Sequence, residues 1–475
     1  MVVFGAGCSD DSGGTGGSGT GGSGTGGSGT GGSGTGGSGT GGTGGSSGGI
    51  DLCADAGGSG TVEFPQEITE DTRLTPDCDY LLTENVGSTF VTNGAVLTID
   101  PGVTVRGEQA AALIVTTEGR IEADGSAEAP IVFTSAAPVG ARNPGDWGGV
   151  VLLGRSRINR LIPDGCDGTA GECTDSIEGI EPDAELGTFF GGDDDAHNCG
   201  TLRYVRIEYA GFIFGEDNEL NALTVGACGT QTTLEYIQLH RGEDDGLEFF
   251  GSTADAQYIL VTGTGDDGLD TDQSYSGTIS NAIVHHFAGR SDDPRGIEAD
   301  NWNANQNAEP RSNPTFQYIT LIGDAGSAQE NAQQGAVIRR GSFGTIEGGV
   351  IVDFNRAGVD IRDSAWAQSG GYPDNLNVTN TCFNNNSPNL PTDVDCGGAG
   401  EEDCNDEDPT EGFFPEDVNL ATGNFLEEDP QLGDVSGAVD GSGSPDYSVG
   451  NSNCMGAFAP DGTDWTAGWT EFSVN

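Results

Sequence analysis

The chain repeats itself. Tyr236-Ile237-Gln238-Leu239 returns as Tyr258-Ile259-Leu260-Val261, 22 residues later, and Asp244-Asp245-Gly246-Leu247-Glu248 returns at the same interval as Asp266-Asp267-Gly268-Leu269-Asp270. Looser copies run from Tyr204-Val205-Arg206-Ile207, Ala282-Ile283-Val284-His285, Tyr318-Ile319-Thr320-Leu321 and Gly349-Val350-Ile351-Val352. A period in the low twenties, with short apolar runs split by Gly and Asp corners, makes each copy one coil of a solenoid. Such a coil cannot bury its apolar face alone and must stack on its neighbours. A propeller blade needs roughly twice the period. The expected fold class is therefore all-β, a right-handed parallel β-helix, with coils about 4.8 Å apart. The stretch from Ala95 agrees: "AVLTIDPGVTVRG", "APIVFTSA" and "GDWGGVVLLG" read as strands of three to five residues between tight corners, with no helical period.

Two sets of motifs carry a family resemblance. "LTIDPGVTVRG", "ALIVTTEGRIEADGSAEAPIVFTSA" and "GDWGGVVLLG" resemble the opening coils of bacterial β-helix surface proteins of pectin-lyase-like fold. "IEGIE", "GTLRYVRIEYAG", "DDGLEFFG" and "NCMGAFAPDGTDWTAGWTEF" are similar to a narrower family. Its members are outer-membrane β-helix lipoproteins and secreted surface proteins of spirochaetes, Bacteroidetes and related bacteria. The resemblance spans most of residues 95–470 and implies the fold and a place in the cell envelope. It brings no catalytic signature onto this chain.

The N-terminus points the same way. "MVVFGAGC" resembles the end of a lipoprotein signal, with Cys8 as the residue that carries the lipid. Seven residues precede Cys8, which suggests that translation starts further upstream, and Gly5 stands where such signals usually have Leu. A GGSGT-like array follows to about Gly49. It has no apolar residues to offset chain entropy and is expected to be a disordered tether. Roughly 40 such residues reach about 35 Å. The expected order is a signal end at 1–8, a linker at 9–50, an N-terminal cap at 51–94, the β-helix at 95–375 and irregular closing coils at 376–475. Outside the signal, no apolar run is long enough to span a bilayer. The expected location is the outer membrane, with the folded part on the surface and the membrane as a partner through the lipid.

Charge narrows the function. Asp and Glu number 75 against 17 basic residues, all arginine, for a net charge of -58. Such a surface repels phosphate backbones and excludes nucleic acid as a partner. It suits divalent cations. Polysaccharide or another envelope protein remain as partners. Apart from Cys8, ten cysteines (Cys53, Cys78, Cys166, Cys173, Cys199, Cys228, Cys382, Cys396, Cys404 and Cys454) form an even set without zinc-ribbon spacing. That parity fits disulfides in an oxidising compartment. Cys166–Cys173 and Cys199–Cys228 are plausible local pairs, and the last four cysteines would staple the closing coils.

Strand alternation assigns the acids to a face. With Leu247, Leu269, Ile297, Ala336 and Val359 inward, Glu248, Asp270, Glu298, Val337 and Asp360 form one outward column. Phe250, Asp272, Asp300, Arg339 and Arg362 form the next. Asp270, Asp272, Glu298 and Asp300 then make a rectangle of carboxylates about 5 Å by 7 Å. Three readings compete. In the first, the acids form a structural network paired with Arg339 or Arg295. In the second, with Glu248, they hold calcium, a hard cation that takes six to eight oxygens. In the third, they serve a calcium-dependent carbohydrate-active enzyme, either a polysaccharide lyase with Arg339 as base or a glycoside hydrolase using two carboxylates. Among the other candidates, Tyr204, Tyr236, Tyr258 and Tyr318 share an outward position and suit either a sugar platform or packing under a loop. His240 and His286 are expected in one outward column and His285 inward. "GGDDDAHN" at 191–198 is a possible cation loop.

Overall fold

The structure is a computed structural model that describes residues 49–474, except 160–172, 216–217, 291–293, 325–333, 356, 362–375, 387–422 and 459–461. Cys8, the tether, Cys166, Arg362, Cys396 and Cys404 lie outside the described residues. The described chain is a parallel β-helix. One face is a ten-stranded parallel sheet running from Glu67–Ile68 to Ala357–Ile361. The other two faces belong to a second sheet of nineteen strands. In the middle coils, single strands such as Gly200–Glu208 and Thr233–His240 cross both of those faces. They are longer than the three to five residues expected.

A left-handed residue bends each of these long strands. Tyr204, Tyr236, Tyr258, Asn281 and Tyr318 have φ between 50° and 59° and lie in register on successive coils. A left-handed conformation costs an L-residue roughly 1–2 kcal/mol. Stacking offsets part of that cost: the Tyr204 and Tyr236 rings are 4.4 Å apart, as are those of Tyr236 and Tyr258.

The corners are equally specific. Asp245 Oδ1 accepts the backbone N–H of Asp267 at 2.8 Å, and Asp267 Oδ1 accepts that of Arg295 at 2.7 Å. The second Asp of each "DDGL" thus ties its corner to the next coil. The glycine after it is required by close stacking: a Cβ on Gly246 would lie 2.5 Å from Val261 and 2.6 Å from the Gly268 carbonyl oxygen. The repeat at 22 residues is therefore a coil circumference with a hydrogen-bonded corner.

The ladder passes both expected bounds. Ile50–Asp51 already pairs with Thr72–Arg73, so the segment 51–94 forms coils and is not a separate cap. At the other end Cys382–Asn384 pairs with Phe425–Leu426. The chain then runs back along the outside of the nineteen-stranded sheet. Gly456 N–H bonds the Gly348 carbonyl at 3.0 Å, Gln238 and Glu471 exchange two hydrogen bonds, and the Tyr209 hydroxyl donates to the Ser473 carbonyl at 2.7 Å. Trp465 packs on Tyr258 and Trp469 on Tyr204, each at 5.6 Å. The tyrosine column is thus roofed by this return segment, which favours packing over a sugar platform.

Disulfides join Cys53–Cys78, Cys199–Cys228 and Cys382–Cys454. The last pins the return segment to its coil. Cys173 is also disulfide-bonded.

Candidate functional site

The ten-stranded face carries the acids because its register is continuous. Leu223, Leu247, Leu269, Ile297, Ala336 and Val359 align and enter the core. Thr224, Glu248, Asp270, Glu298, Val337 and Asp360 form the adjacent outward column. Phe250 and Asp272 start the second column, and Asp300 and Arg339 follow in it, their N–H groups bonded to the preceding coil at 2.7 and 2.9 Å.

The rectangle of four equivalent acids does not survive inspection of its partners. Glu298 forms ion pairs with Arg295, at 2.7 Å, and with Arg339. Asp300 is held by Arg339 at 3.0 Å and Arg340 at 2.8 Å. Three guanidinium groups therefore neutralise this half of the site, and the structural-network reading holds for Glu298 and Asp300. Asp272 Oδ1 accepts the N–H of Gln273 at 2.6 Å. Arg339 also fails as a proton acceptor: a guanidinium is always protonated near neutrality, and two carboxylates pin this one in place. Sequence spacing brought these residues together correctly. It could not say which acids an arginine would reach, because that depends on side-chain direction and on the excursion between residues 300 and 334.

One coil earlier the balance reverses. Asp245, Glu248 and Asp270 each offer a carboxylate oxygen, all within 4.8 Å of one another. No arginine pairs with these three among the described residues. Asp245 and Glu248 are 8 % and 7 % exposed. Asn221 Nδ2 donates to Glu248 Oε2. Asp270 Oδ1 is shielded from solvent and accepts no hydrogen bond from any described residue. Burial first, and then neighbouring carboxylates, push all three groups well above the usual carboxylate range. Two flanking sets, Asp244–Asp245–Asp266 and Asp267–Asp270–Glu298, meet the same spacing. The second of these is already compensated by Arg295, which lies 3.5 Å from Asp267 and 2.7 Å from Glu298.

This spacing suits a hard cation. Calcium–oxygen distances of about 2.3–2.6 Å place two ligands across the ion about 5 Å apart. Asp245 keeps one oxygen for such an ion while its Oδ1 holds the Asp267 N–H. Relative to the five acids expected from sequence, the fit keeps Glu248 and Asp270, releases Asp272, Glu298 and Asp300, and adds Asp245. The repeated Asp pair was the signal for Asp245, and it reads as a corner until the fold turns its side chain toward Glu248.

A cleft of about 550 Å³ lies beside this cluster, between the 175–182 excursion, Phe214, Phe250 and Gln273. Asp244, the half-buried first residue of the motif, is pushed up to about 7, chiefly by burial and then by Glu219 and Glu178.

The remaining candidates resolve as structure. His240 shares its outward column with Thr262 and His285, not with His286. His285 points away from the coil core onto the return segment, with Nδ1 3.3 Å from the Tyr447 hydroxyl, contrary to the inward placement expected. Strand Thr278–His285 carries the left-handed Asn281, and the alternation restarts there. In "GGDDDAHN", Asp195 is taken by an ion pair with Arg157.

The sequence matches the family model of the pectate-lyase like beta helix domain over residues 66–422. No curated protein and no solved structure gives a significant match. That match covers most of the chain and coincides with the observed coils, so the chain belongs to the pectate-lyase-like β-helix family.

Proposed function

We propose that this chain is a cell-envelope β-helix that acts as a binding or structural component and carries calcium on Asp245, Glu248 and Asp270. The observation that carries the reading is the buried carboxylate trio with an unpartnered Asp270 oxygen, next to a second trio neutralised by arginines. Uncompensated buried charge is costly, and a divalent ion removes that cost. The envelope part rests on Cys8 as a lipidation site, on the Gly/Ser/Thr array as a tether and on the disulfides, which fit an oxidising compartment. The membrane would be a partner through the lipid, and a polysaccharide or another surface protein would be the ligand.

Thermal melts with calcium and with EDTA test the cation. Calcium should raise the melting temperature of the native protein. Asp270→Asn should reverse sign with the medium: it stabilises in EDTA, where it removes a repelling charge, and abolishes the calcium increment. Equal melting temperatures of the native protein in calcium and EDTA would remove the cation from this reading.

The second reading is a carbohydrate-active enzyme. It is favoured by Asp244, whose raised protonation range suits general acid or base catalysis near neutrality, beside an open cleft. Incubation with uronic-acid and neutral polysaccharides should then give an unsaturated ultraviolet-absorbing product or new reducing ends. The activity should fall about 100-fold or more in Asp244→Asn. A silent panel leaves only the binding reading.

A further inference from the structure

The corners of the ten-stranded face form a column of their own. Leu223, Leu247 and Leu269 are in register, so the residues two places earlier, Asn221, Asp245 and Asp267, take the same corner on successive coils. The backbone agrees: the Ala222 N–H reaches the Asp245 carbonyl and the Gly246 N–H the Asp267 carbonyl, each at 3.0 Å. Asp245 and Asp267 each use one carboxylate oxygen to accept an N–H of the next coil. Asn221 breaks this series in a single group, because its amide nitrogen donates where an ionised carboxylate can only accept.

That donor is aimed at the cation site. Asn221 is 2 % exposed, and its Nδ2 donates to Glu248 Oε2 on the following coil and to Thr224 Oγ1 at 3.4 Å. Thr224 and Glu248 are neighbours in the outward column, so one amide spans both. The ionised carboxylate fixes which way the amide faces, since only nitrogen can donate to it. Two acids of the trio are thus held by one oxygen each, Asp245 by the Asp267 N–H and Glu248 by Asn221. Each keeps its other oxygen for an ion. Asn221→Asp would instead set a further carboxylate against Glu248.

We propose that Asn221 is the positioning residue of the cation site, holding Glu248 by Oε2 so that Oε1 faces the ion between Asp245 and Asp270. It acts through Glu248 and does not touch the ion. The inference rests on the calcium reading and names the side chain that makes Glu248 a ligand of fixed direction. Hydrogen-bond partners of metal ligands typically contribute roughly 10–100-fold in metal affinity.

Calorimetric titration of the intact, chelator-stripped protein with calcium chloride tests the role. Asn221→Leu, close in shape and without the donor, should raise the calcium Kd roughly tenfold or more. Melting in EDTA checks that the variant folds. Asn221→Ala, which adds no bulk, serves where leucine is not accepted. Glu248→Asp supplies the readout that a packing role would not move. It keeps the charge but shortens the side chain away from Asn221, so adding Asn221→Leu to it should change the Kd by less than about twofold. An equal loss in both backgrounds would mean that Asn221 acts by packing and would overturn the role. So would a Kd that Asn221→Leu and Asn221→Ala leave unchanged while the native protein binds calcium, and in that case the calcium reading stands. A native protein that takes up no calcium removes the cation and this role together.

Discussion

Lowering the pH from 7.5 to 5 should cost this protein about 2 kcal/mol at His240, a loss that His240→Gln should remove. His240 is buried under the return segment, with Nδ1 2.7 Å from the Thr262 hydroxyl and Nε2 3.0 Å from the Ser473 carbonyl. The rings of Tyr209, Phe287 and Phe472 surround it, and the charges of Arg241, Arg206 and Arg290 face it. Burial pushes its protonation down to about 3. Burial likewise takes His285 to about 3 and His286 to about 4. A histidine held neutral in the fold contributes stability that is fully present above its unfolded pKa of about 6.5. As pH falls below that value the unfolded chain takes up the proton and the native one does not, so the stability is lost progressively down to the folded value. At pH 5 each histidine costs about 2 kcal/mol, and the three together about 6 kcal/mol. Asp244, raised to about 7, and Asp245, Glu248 and Asp270, raised well above the carboxylate range, work in the opposite sense as the pH falls. The His240→Gln difference isolates the histidine contribution. Urea unfolding at the two pH values should show the variant losing about 2 kcal/mol less than the native protein. A parallel loss in both would show that His240 titrates normally in the fold.

Arg339→Met should destabilise the fold by about 3–5 kcal/mol. Methionine keeps the unbranched apolar stem and removes the guanidinium, so the loss reports chiefly the charge and its hydrogen bonds. Glu298 and Asp300 are 6 % and 4 % exposed, and among the described residues they would retain Arg295 and Arg340 respectively. Removing one partner from a buried network leaves a charge that water cannot reach. Adding Glu298→Gln to Arg339→Met should restore part of the stability, because the orphaned charge is then gone. Chemical denaturation of the native, single and double variants measures both steps. A single variant as stable as the native chain would mean that these groups are solvated and do not form a network.

Much of the architecture was legible in the chain. The interval between "DDGLE" and "DDGLD" is a coil, and alternation placed Leu247 and Leu269 inward and Glu248 and Asp270 outward. Sequence also aligned Tyr204, Tyr236 and Tyr258, because a shared corner conformation selects a shared residue type. The outer coverings were not legible. Trp465 and Trp469 lie more than 200 residues from the tyrosines they cover, with no local pattern to announce the contact.

The division between sequence and tertiary structure follows from the range of the forces. Short-range alternation and corner chemistry are written locally and repeated every coil, so the amino-acid order alone determined the fold class, the register and which acids share a face. Charge compensation acts between side chains on different coils and excursions. Only the folded chain decided that Arg295, Arg339 and Arg340 would reach Glu298 and Asp300 while no arginine among the described residues pairs with Asp245, Glu248 or Asp270. Burial then gave that difference its energetic weight, since a charge removed from water must find its partner within a few ångströms.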